Sequence, residues 1–455
     1  MSLVVAVLAA GKGTRMCSDL PKVLHSIGGK PMLHHVIDSV DCLSPQCIHV
    51  VVEHGFQSVI DSFTNKELFF SRQPGLLGTG DALMQVLPKL NKQDRLLVLF
   101  GDCPLIQLES LEGFLNSIDN NALGVITTKV PVADGYGRIC RNKNDDIISI
   151  VEHKDATDDL LKIKEINSGI MCGPVGLFEE ALGTIENNNS QGEYYLTDVV
   201  KYAVDRNIKV QGYCLADYKE VQGINSREQL VQAEKYYQNV QRKKLLRAGV
   251  HIYDESTFIL RGNLICGKDV FIDTNVIVEG DVVLGDRVHV GPFSVIKNCI
   301  IGDDVEVKSH SSLEGAKIGK HSKVGPFARL REGCELSINT KVGNFVELKK
   351  VKFGDGSKVS HLSYLGDSEI GSGVNVGAGA ITCNYDGKKK HKTKIEDNVF
   401  VGSNCSLIAP VNLGEGAVIG AGTVLVKDAA KNKVTVNKIK QIEISDVFVT
   451  ECEAN

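Results

Sequence analysis

Two spacings of apolar residues divide the chain. Up to about residue 225, short β-branched runs at 3–8, 48–52, 95–99 and 124–127 alternate with helix-like stretches such as 31–40 and 80–87. That alternation predicts an α/β domain, a mostly parallel sheet covered by helices. Ser226 and Gln229 then make an S-x-x-Q helix start, and a polar helical stretch runs to about Arg247 before Gly249 stops it.

Beyond residue 250 the spacing becomes six. Ile272, Val278, Leu284, Val290 and Ile296 open a series that continues, with occasional five-residue steps, through Leu313, Leu330, Leu348, Leu365 and Val376. The short steps begin at 296, 313, 348 and 365, so the shortening falls at one corner of a three-sided coil of 17 or 18 residues per turn. This is the hexapeptide β-helix spacing: each hexad is a short strand and a corner, with the aliphatic side chain pointing into a narrow prism. The series breaks once, between Thr382 and Ile395, where seven or eight extra residues must bulge outward. The excursion holds Asn384, Tyr385 and five lysines, a composition equally suited to a solvated bulge and to a ligand loop. The expected domains are 1–226, a linker helix at 227–248 and a β-helix at 249–455.

Composition narrows the class. With 43% hydrophobic and 24% charged residues among 455, the chain reads as an ordinary soluble protein, and length alone suggests two or three domains. A net charge of −5 gives no electrostatic reason to expect nucleic acid as the main partner. No apolar run approaches the ~18 residues of a membrane helix. Lys12 and Arg15 follow the apolar start rather than precede it, the reverse of a secretory signal. The 13 scattered cysteines, odd in number and without C-x-x-C spacing, predict reduced thiols in the cytoplasm rather than a disulfide framework or a zinc site.

Three places carry candidate chemistry. The first strand runs into Leu8-Ala-Ala-Gly-Lys-Gly-Thr-Arg-Met16, with Leu20-Pro-Lys-Val23 following. A glycine-rich turn presents backbone N–H groups to phosphates, and Arg15 and Lys22 add positive charge. Met16 stands where a dinucleotide fingerprint needs glycine, and the spacing is not that of a P-loop. Taken alone, a tight strand–helix turn explains the motif equally well. Asp102 follows the apolar run 96–100, a place for a metal ligand or for a plain loop carboxylate. Its neighbour Cys103 reads as incidental packing, although its position would expose a site at Asp102 to thiol reagents. In the coil, His361 falls two residues after the inward Val359. A lone histidine is ordinarily structural, but Arg331, Glu347, Lys349 and Asn375 lie one or two coils away.

The longer string G-x-G-T-R-M, followed by L-P-K, resembles the signature of the sugar-nucleotide pyrophosphorylases. Leu77-Gly-Thr-Gly80, Phe100-Gly-Asp-Cys-Pro104, Gly135-Tyr-Gly-Arg138, Val151-Glu-His-Lys154, Glu165-Ile-Asn-Ser-Gly169 and Gly223-Ile-Asn225 are similar to that family's further blocks. Ser360-His-Leu-Ser-Tyr-Leu365 resembles an acetyltransferase motif. With the hexapeptide repeat, nearly the whole chain resembles the bifunctional N-acetylglucosamine-1-phosphate uridyltransferase/glucosamine-1-phosphate acetyltransferase family.

The resemblance implies a Rossmann-like nucleotidyltransferase domain followed by a left-handed parallel β-helix. It also implies a cytoplasmic homotrimer whose partners are small molecules, with neither nucleic acid nor membrane among them. UTP and UDP-N-acetylglucosamine would be held by Leu8, Ala9, Ala10, Gly11, Arg15, Lys22, Gln73, Gly78, Thr79, Phe100 and Gly101. Gly137, Glu152 and Asn167 would bind the sugar, and Asp102 and Asn225 would hold Mg²⁺. In the β-helix His361 would be the general base, with Glu347 orienting it. Arg331, Lys349, Tyr364, Asn375 and Lys390 would bind the acceptor sugar phosphate. Ala378, Asn384, Tyr385, Ser403, Ala421 and Lys438 would meet acetyl-CoA. Lys438 stands where the family usually has arginine, which keeps the charge and loses the bidentate fork. Two rivals stand beside this reading: a pyrophosphorylase for another sugar nucleotide whose β-helix only assembles or regulates, and an inactive scaffold.

Overall fold

In the computed structural model, residues 1–64, 66–438 and 441–443 are described. Two compact units, Met1–Val240 and Gln241–Asn455, divide the chain within its longest helix. The first unit is built on a nine-stranded sheet. Its strands are β1 (Leu3–Leu8), β2 (Cys47–Val52), β3 (Phe69–Arg72), β4 (Arg95–Phe100) and β5 (Leu123–Lys129), then β6 (Arg138–Arg141), β7 (Ile147–Val151), β8 (Glu165–Pro174) and β9 (Val210–Leu215). Across the sheet the order is β9-β5-β8-β4-β1-β2-β3, with β6 paired to β8 and β7 paired to β6. Along that seven-strand order four of the six pairings are parallel, as expected of a mostly parallel sheet. The antiparallel pairings gather around β8, which opposes β4, β5 and β6, and β6 in turn opposes β7.

The strands are apolar on both faces because helices cover both. Val4, Ala6 and Leu8 of β1 face a layer that includes α2 (Thr79–Met84), α4 (Val175–Leu182) and α5 (Asp198–Asp205). Val5 and Val7 face α1 (Met32–Asp41) and α3 (Leu108–Ser117) on the other side. The chain passes from β1 outward to β2 and β3, then returns to place β4 on the opposite edge of β1. The carboxyl ends of β1 and β4 therefore border a switch-point crevice, where open α/β sheets bind ligands.

The long helix, α6 (Arg227–Arg247), lies between the two patterns. Beyond it the second unit is a parallel β-helix. Register steps Val278↔Ile296↔Leu313↔Leu330↔Leu348↔Leu365 reproduce the 17- and 18-residue turns. The inward aliphatic residues form one continuous buried core. Thr382 takes an inward position where the series breaks, and it is 1% exposed. Its hydroxyl accepts from Gly366 N at 2.7 Å and donates to Gly366 O at 3.2 Å, so the polar side chain is satisfied inside the prism. Among the described residues no helix is long and apolar enough to cross a membrane, and the cysteines are free.

Candidate active sites

The ends of β1 and β4 are tied together by Gly101 N donating to Leu8 O at 2.9 Å. Over them opens a cavity of about 520 Å³ lined by Leu8, Ala9, Ala10, Gly11, Lys22, Gln73, Gly78, Thr79, Phe100 and Asp102. A second cavity, of about 250 Å³, is lined by Gly137, Glu152 and Asn167 and again by Thr79, Phe100 and Asp102. The residues assigned to nucleotide and those assigned to sugar thus line two spaces that share Asp102. Gly101 is buried against Ala9 and Leu33. Arg15 is exposed on the short turn Thr14–Met16, outside both linings.

Lys22 is almost buried, its side chain 9% exposed. Its Nζ donates to Asp102 Oδ2 at 2.5 Å and to Asn225 Oδ1 at 3.0 Å. The start of α6 fixes Asn225: Gln229 Oε1 accepts from Asn225 N at 2.7 Å, and Ser226 Oγ accepts from Gln229 N at 3.3 Å. The expected S-x-x-Q cap therefore forms with its glutamine reaching one residue further back, onto the residue that meets Lys22. Asp102 and Asn225 are hard oxygen donors around a point that already holds positive charge, a set that fits a magnesium-like cation. Among the described residues no cluster of three or more His, Cys, Asp or Glu side chains comes together to hold a metal. A cation here would complete its shell with phosphate oxygens and water.

One segment joins the two cavities, and no motif in the sequence marked it. Tyr194 N donates to Leu77 O at 2.7 Å, Gly80 N to Tyr194 O at 2.8 Å, and Leu196 N to Thr79 Oγ1 at 3.1 Å. Gly78 makes this approach possible: at φ 106 it has no side chain, and a Cβ there would meet Tyr194 O at 2.6 Å. Three residues on, Thr197 heads α5 and donates from Oγ1 to Glu152 Oε1 at 3.0 Å. Thr197 also lines the sugar-side cavity. The available signal was a Thr-Asp helix start, which is common to many helices and names no ligand. Burial pushes the Glu152 carboxyl above its usual range, with Asp198, Asp155 and Glu193 adding to the shift and the Thr197 bond opposing it.

Cys103 corrects one expectation. Its side chain is buried, with Sγ 3.7 Å from both Asp102 Oδ1 and Val221 O. Burial, reinforced by the Asp102 charge, pushes its thiol well above the usual range. Neither access nor thiolate is available to a thiol reagent, so adjacency to Asp102 alone does not make it a reactive residue.

In the β-helix one corner position recurs from coil to coil as Asn344, His361, Ala378, Ser403 and Ala421. Asn344 stands in register with His361. The residue after each corner then donates to the corner of the coil before: Leu362 N to Asn344 O, Gly379 N to His361 O, Asn404 N to Ala378 O and Gly422 N to Ser403 O. Three residues assigned to acetyl-CoA therefore continue this single column past His361. The neighbouring left-handed position carries Phe327, Phe345 and Leu362 up to the His361 coil, and Gly379, Asn404 and Gly422 beyond it. Bulk gives way to small side chains where the column passes His361.

On the adjoining face, Arg331 Nη1 donates to Glu347 Oε1 at 3.1 Å, and Tyr364 stands in register with Glu347. Lys349 reaches Lys390 of the extruded loop, and the Lys390 ammonium depresses the Lys349 pKa, with Arg331 contributing. That loop is built. Asp386 Oδ1 accepts from the N–H groups of Lys388 and Lys389 at 2.7 Å each, and Asp386 Oδ2 pairs with His391 Nε2 at 2.7 Å. Asn384 donates to Asp367 Oδ2 at 2.5 Å, and Tyr385 is 60% exposed. Asn375 belongs to the strand beside Lys358–His361, on a different sheet from Arg331 and Lys349. Lys438 is exposed; residues 439 and 440, which continue its stretch, lie outside the described residues.

The expected orienting carboxylate is absent from His361. Its Nδ1 meets Asn344 Oδ1 at 2.5 Å, while Glu347 is engaged with Arg331. The register explains the difference: Asn344 is directly above His361 in the same column, whereas Glu347 begins the next strand.

Three models of known families match separate parts of the chain. A MobA-like NTP transferase domain matches residues 5–140, a GMPPB C-terminal domain matches 260–350, and a hexapeptide repeat of succinyl-transferase matches 392–427. Among solved structures, the chain is similar to a UDP-glucose pyrophosphorylase complexed with UDP-glucose. The two are 18% identical with a TM-score of 0.45, over 53% of this chain and 100% of that one. It is also similar to a nucleotidyl transferase from Methanothermobacter thermautotroptrophicus, at 14% identity and a TM-score of 0.39, over 52% of this chain and 99% of that one. The chain thus joins a nucleotidyltransferase domain to hexapeptide acyltransferase-like repeats.

Proposed function

We propose that the chain is a bifunctional transferase that makes UDP-N-acetylglucosamine. The β-helix transfers acetyl from acetyl-CoA to glucosamine 1-phosphate, and the first domain transfers uridylyl from UTP to N-acetylglucosamine 1-phosphate. The observation that carries the reading is the pair of cavities meeting at Asp102, one lined by the nucleotide set and the other by the sugar set. The column below His361 supports the second activity.

In uridylyl transfer a phosphate oxygen of the sugar attacks the α-phosphorus of UTP, and the bond to pyrophosphate breaks. Lys22 supplies positive charge at the shared wall, the glycine-rich turn offers N–H groups to the phosphates, and Glu152 and Asn167 hold the sugar. Mg²⁺, held by Asp102 and Asn225, would neutralise phosphate charge there. In acetyl transfer the amine attacks the thioester carbonyl, the carbon–sulfur bond breaks, and the free thiol of CoA leaves. His361 takes the amine proton and passes it to the leaving sulfur. Arg331, Lys349 and Lys390 meet the sugar phosphate.

The reading includes a cytoplasmic homotrimer. Phe293, His310, Phe327 and Phe345 form a stacked column with ring centroids 4.7–5.2 Å apart, and its three phenylalanines are each about half exposed. An exposed apolar stripe that leads to His361 suits contact with a second copy of the chain.

Two assays on the purified full chain test the proposal. With UTP, Mg²⁺ and N-acetylglucosamine 1-phosphate it is expected to release pyrophosphate; no release sinks the first activity. With acetyl-CoA and glucosamine 1-phosphate it is expected to release free thiol. Pyrophosphate without thiol would leave the single-activity pyrophosphorylase, its β-helix serving assembly.

A further inference from the structure

We propose that Asn344 is the positioning residue for His361, selecting the ring tautomer that leaves Nε2 free to accept a proton. The inference rests on the acetyltransferase reading of the β-helix. His361 ends the strand Lys358–His361, and Asn344 ends the strand Lys341–Asn344 one coil earlier. The two are in register, and Asn344 holds the corner with both of its carbonyls. Its backbone oxygen accepts from Leu362 N at 3.1 Å, and its side-chain oxygen meets His361 Nδ1 at 2.5 Å. Gly343 permits this close stacking, since a Cβ there would meet Ser360 O at 1.9 Å. His361 O is itself held by Ser363 Oγ at 2.8 Å and Gly379 N at 3.4 Å. The corner that carries the ring is therefore tied by backbone hydrogen bonds to the coils before and after it.

An amide oxygen only accepts, so the proton of a neutral His361 ring belongs on Nδ1 and the lone pair on Nε2. A base needs that lone pair. The neutrality of Asn344 also matters. A carboxylate in its place would stabilise the imidazolium and keep the ring protonated to higher pH, reducing the fraction of competent base near neutrality. The charged neighbours on the packed strands are Lys341 and Lys358, each three residues before its corner, and Glu347, which is committed to Arg331. Tyr364 begins the following strand and Asn375 the strand one coil on. Among the described residues no carboxylate pairs with His361, so an amide sets its tautomer.

Two measurements test this. In full-length protein labelled with ¹⁵N-histidine, the His361 signals are identified by their loss in His361→Gln. They are expected to report an Nδ1–H ring in the native protein and a shift toward Nε2–H in Asn344→Ala. The same tautomer in both proteins would overturn the proposal. In acetyl transfer, Asn344→Ala is expected to lower kcat by roughly tenfold with KM for both substrates little changed. Asn344→Asp is expected to move the acidic limb of the kcat/KM profile upward by about one pH unit. A limb that stays in place in Asn344→Asp would overturn the proposal even if Asn344→Ala fails to fold. Absence of acetyl transfer in the native protein would instead defeat the functional reading, and the tautomer measurement would still decide the role of Asn344.

Discussion

Lys22 Nζ lies 2.5 Å from Asp102 Oδ2 and 3.0 Å from Asn225 Oδ1, so one ammonium fills the gap between the two oxygens proposed for a cation. The Asp102 side chain is only 17% exposed, and removing its partner leaves a charge that little water can reach. Lys22→Ala is expected to unfold at a lower temperature and to lose uridylyl transfer by at least about a hundredfold, the scale of one lost charge stabiliser. A divalent cation can take the vacated place. Mg²⁺ should therefore raise the melting temperature of Lys22→Ala more than that of the native protein. Equal shifts in scanning calorimetry would place the cation elsewhere.

Gly78 touches the other end of the same cavity. A side chain there meets the Tyr194 carbonyl at 2.6 Å and must also hold φ 106, and both penalties fall on the clamp that joins Leu77–Gly80 to Thr197. Gly78→Ala is expected to cost about 1–3 kcal/mol of stability from backbone strain alone. It should also raise KM for both UTP and the sugar phosphate, because Tyr194–Thr197 serves both cavities. A rise confined to UTP would show that the segment does not couple them.

Repetition made half of this molecule legible. A six-residue spacing of Ile, Val and Leu allows little besides a coil, and Thr382 stood out as the place where the coil opens. The antiparallel β8 was not legible, because a strand buried on both faces reads the same in either direction. The turn Gly11–Arg15 and the acid Asp102 could be found as motifs, and their meeting follows from β1 and β4 being neighbours. Thr197 and Asn344 could not. Each matters through one hydrogen bond to a residue far along the chain, 45 positions away for Glu152 and 17 for His361. Glu347 came to His361 through the family resemblance, whereas the coil register sets Asn344 against its ring.

Glu152 makes the first domain's stability depend on pH in a defined direction. Its carboxyl titrates above the ordinary value of 4.5 because it is buried among Asp198, Asp155 and Glu193. In the window between the unfolded and folded values, the folded state binds more protons, so stability falls as pH rises. Glu152→Gln keeps an oxygen for Thr197 and removes the ionisation. Without ligands it is expected to match the native protein near about pH 4 and to exceed it in melting temperature by about pH 7. A native protein that gains on the variant as pH rises would contradict the burial of Glu152. Its KM for the sugar phosphate should rise, because an amide replaces the charged acceptor.

Lys349, Lys390 and Arg331 bring three cations to one face of the β-helix; of the acids there, Glu347 pairs with Arg331, and Asp367, which favours the charged Lys349, accepts from Asn384. The ammonium of Lys390 lowers the proton affinity of Lys349, which is the state an arriving anion would reverse. Removing one of the three cations in Lys349→Ala should raise KM for glucosamine 1-phosphate by roughly tenfold while kcat changes less. Affinity should also depend on pH. As Lys349 loses its proton on the alkaline side, KM in the native protein is expected to climb, and the climb should flatten in Lys349→Ala. Inorganic phosphate supplies the same anion without the sugar and is expected to compete with the substrate in the native protein, more weakly in the variant. Parallel KM profiles in the two proteins, with equal competition by phosphate, would remove Lys349 from the phosphate site and leave the Lys349–Lys390 contact as a feature of the loop alone.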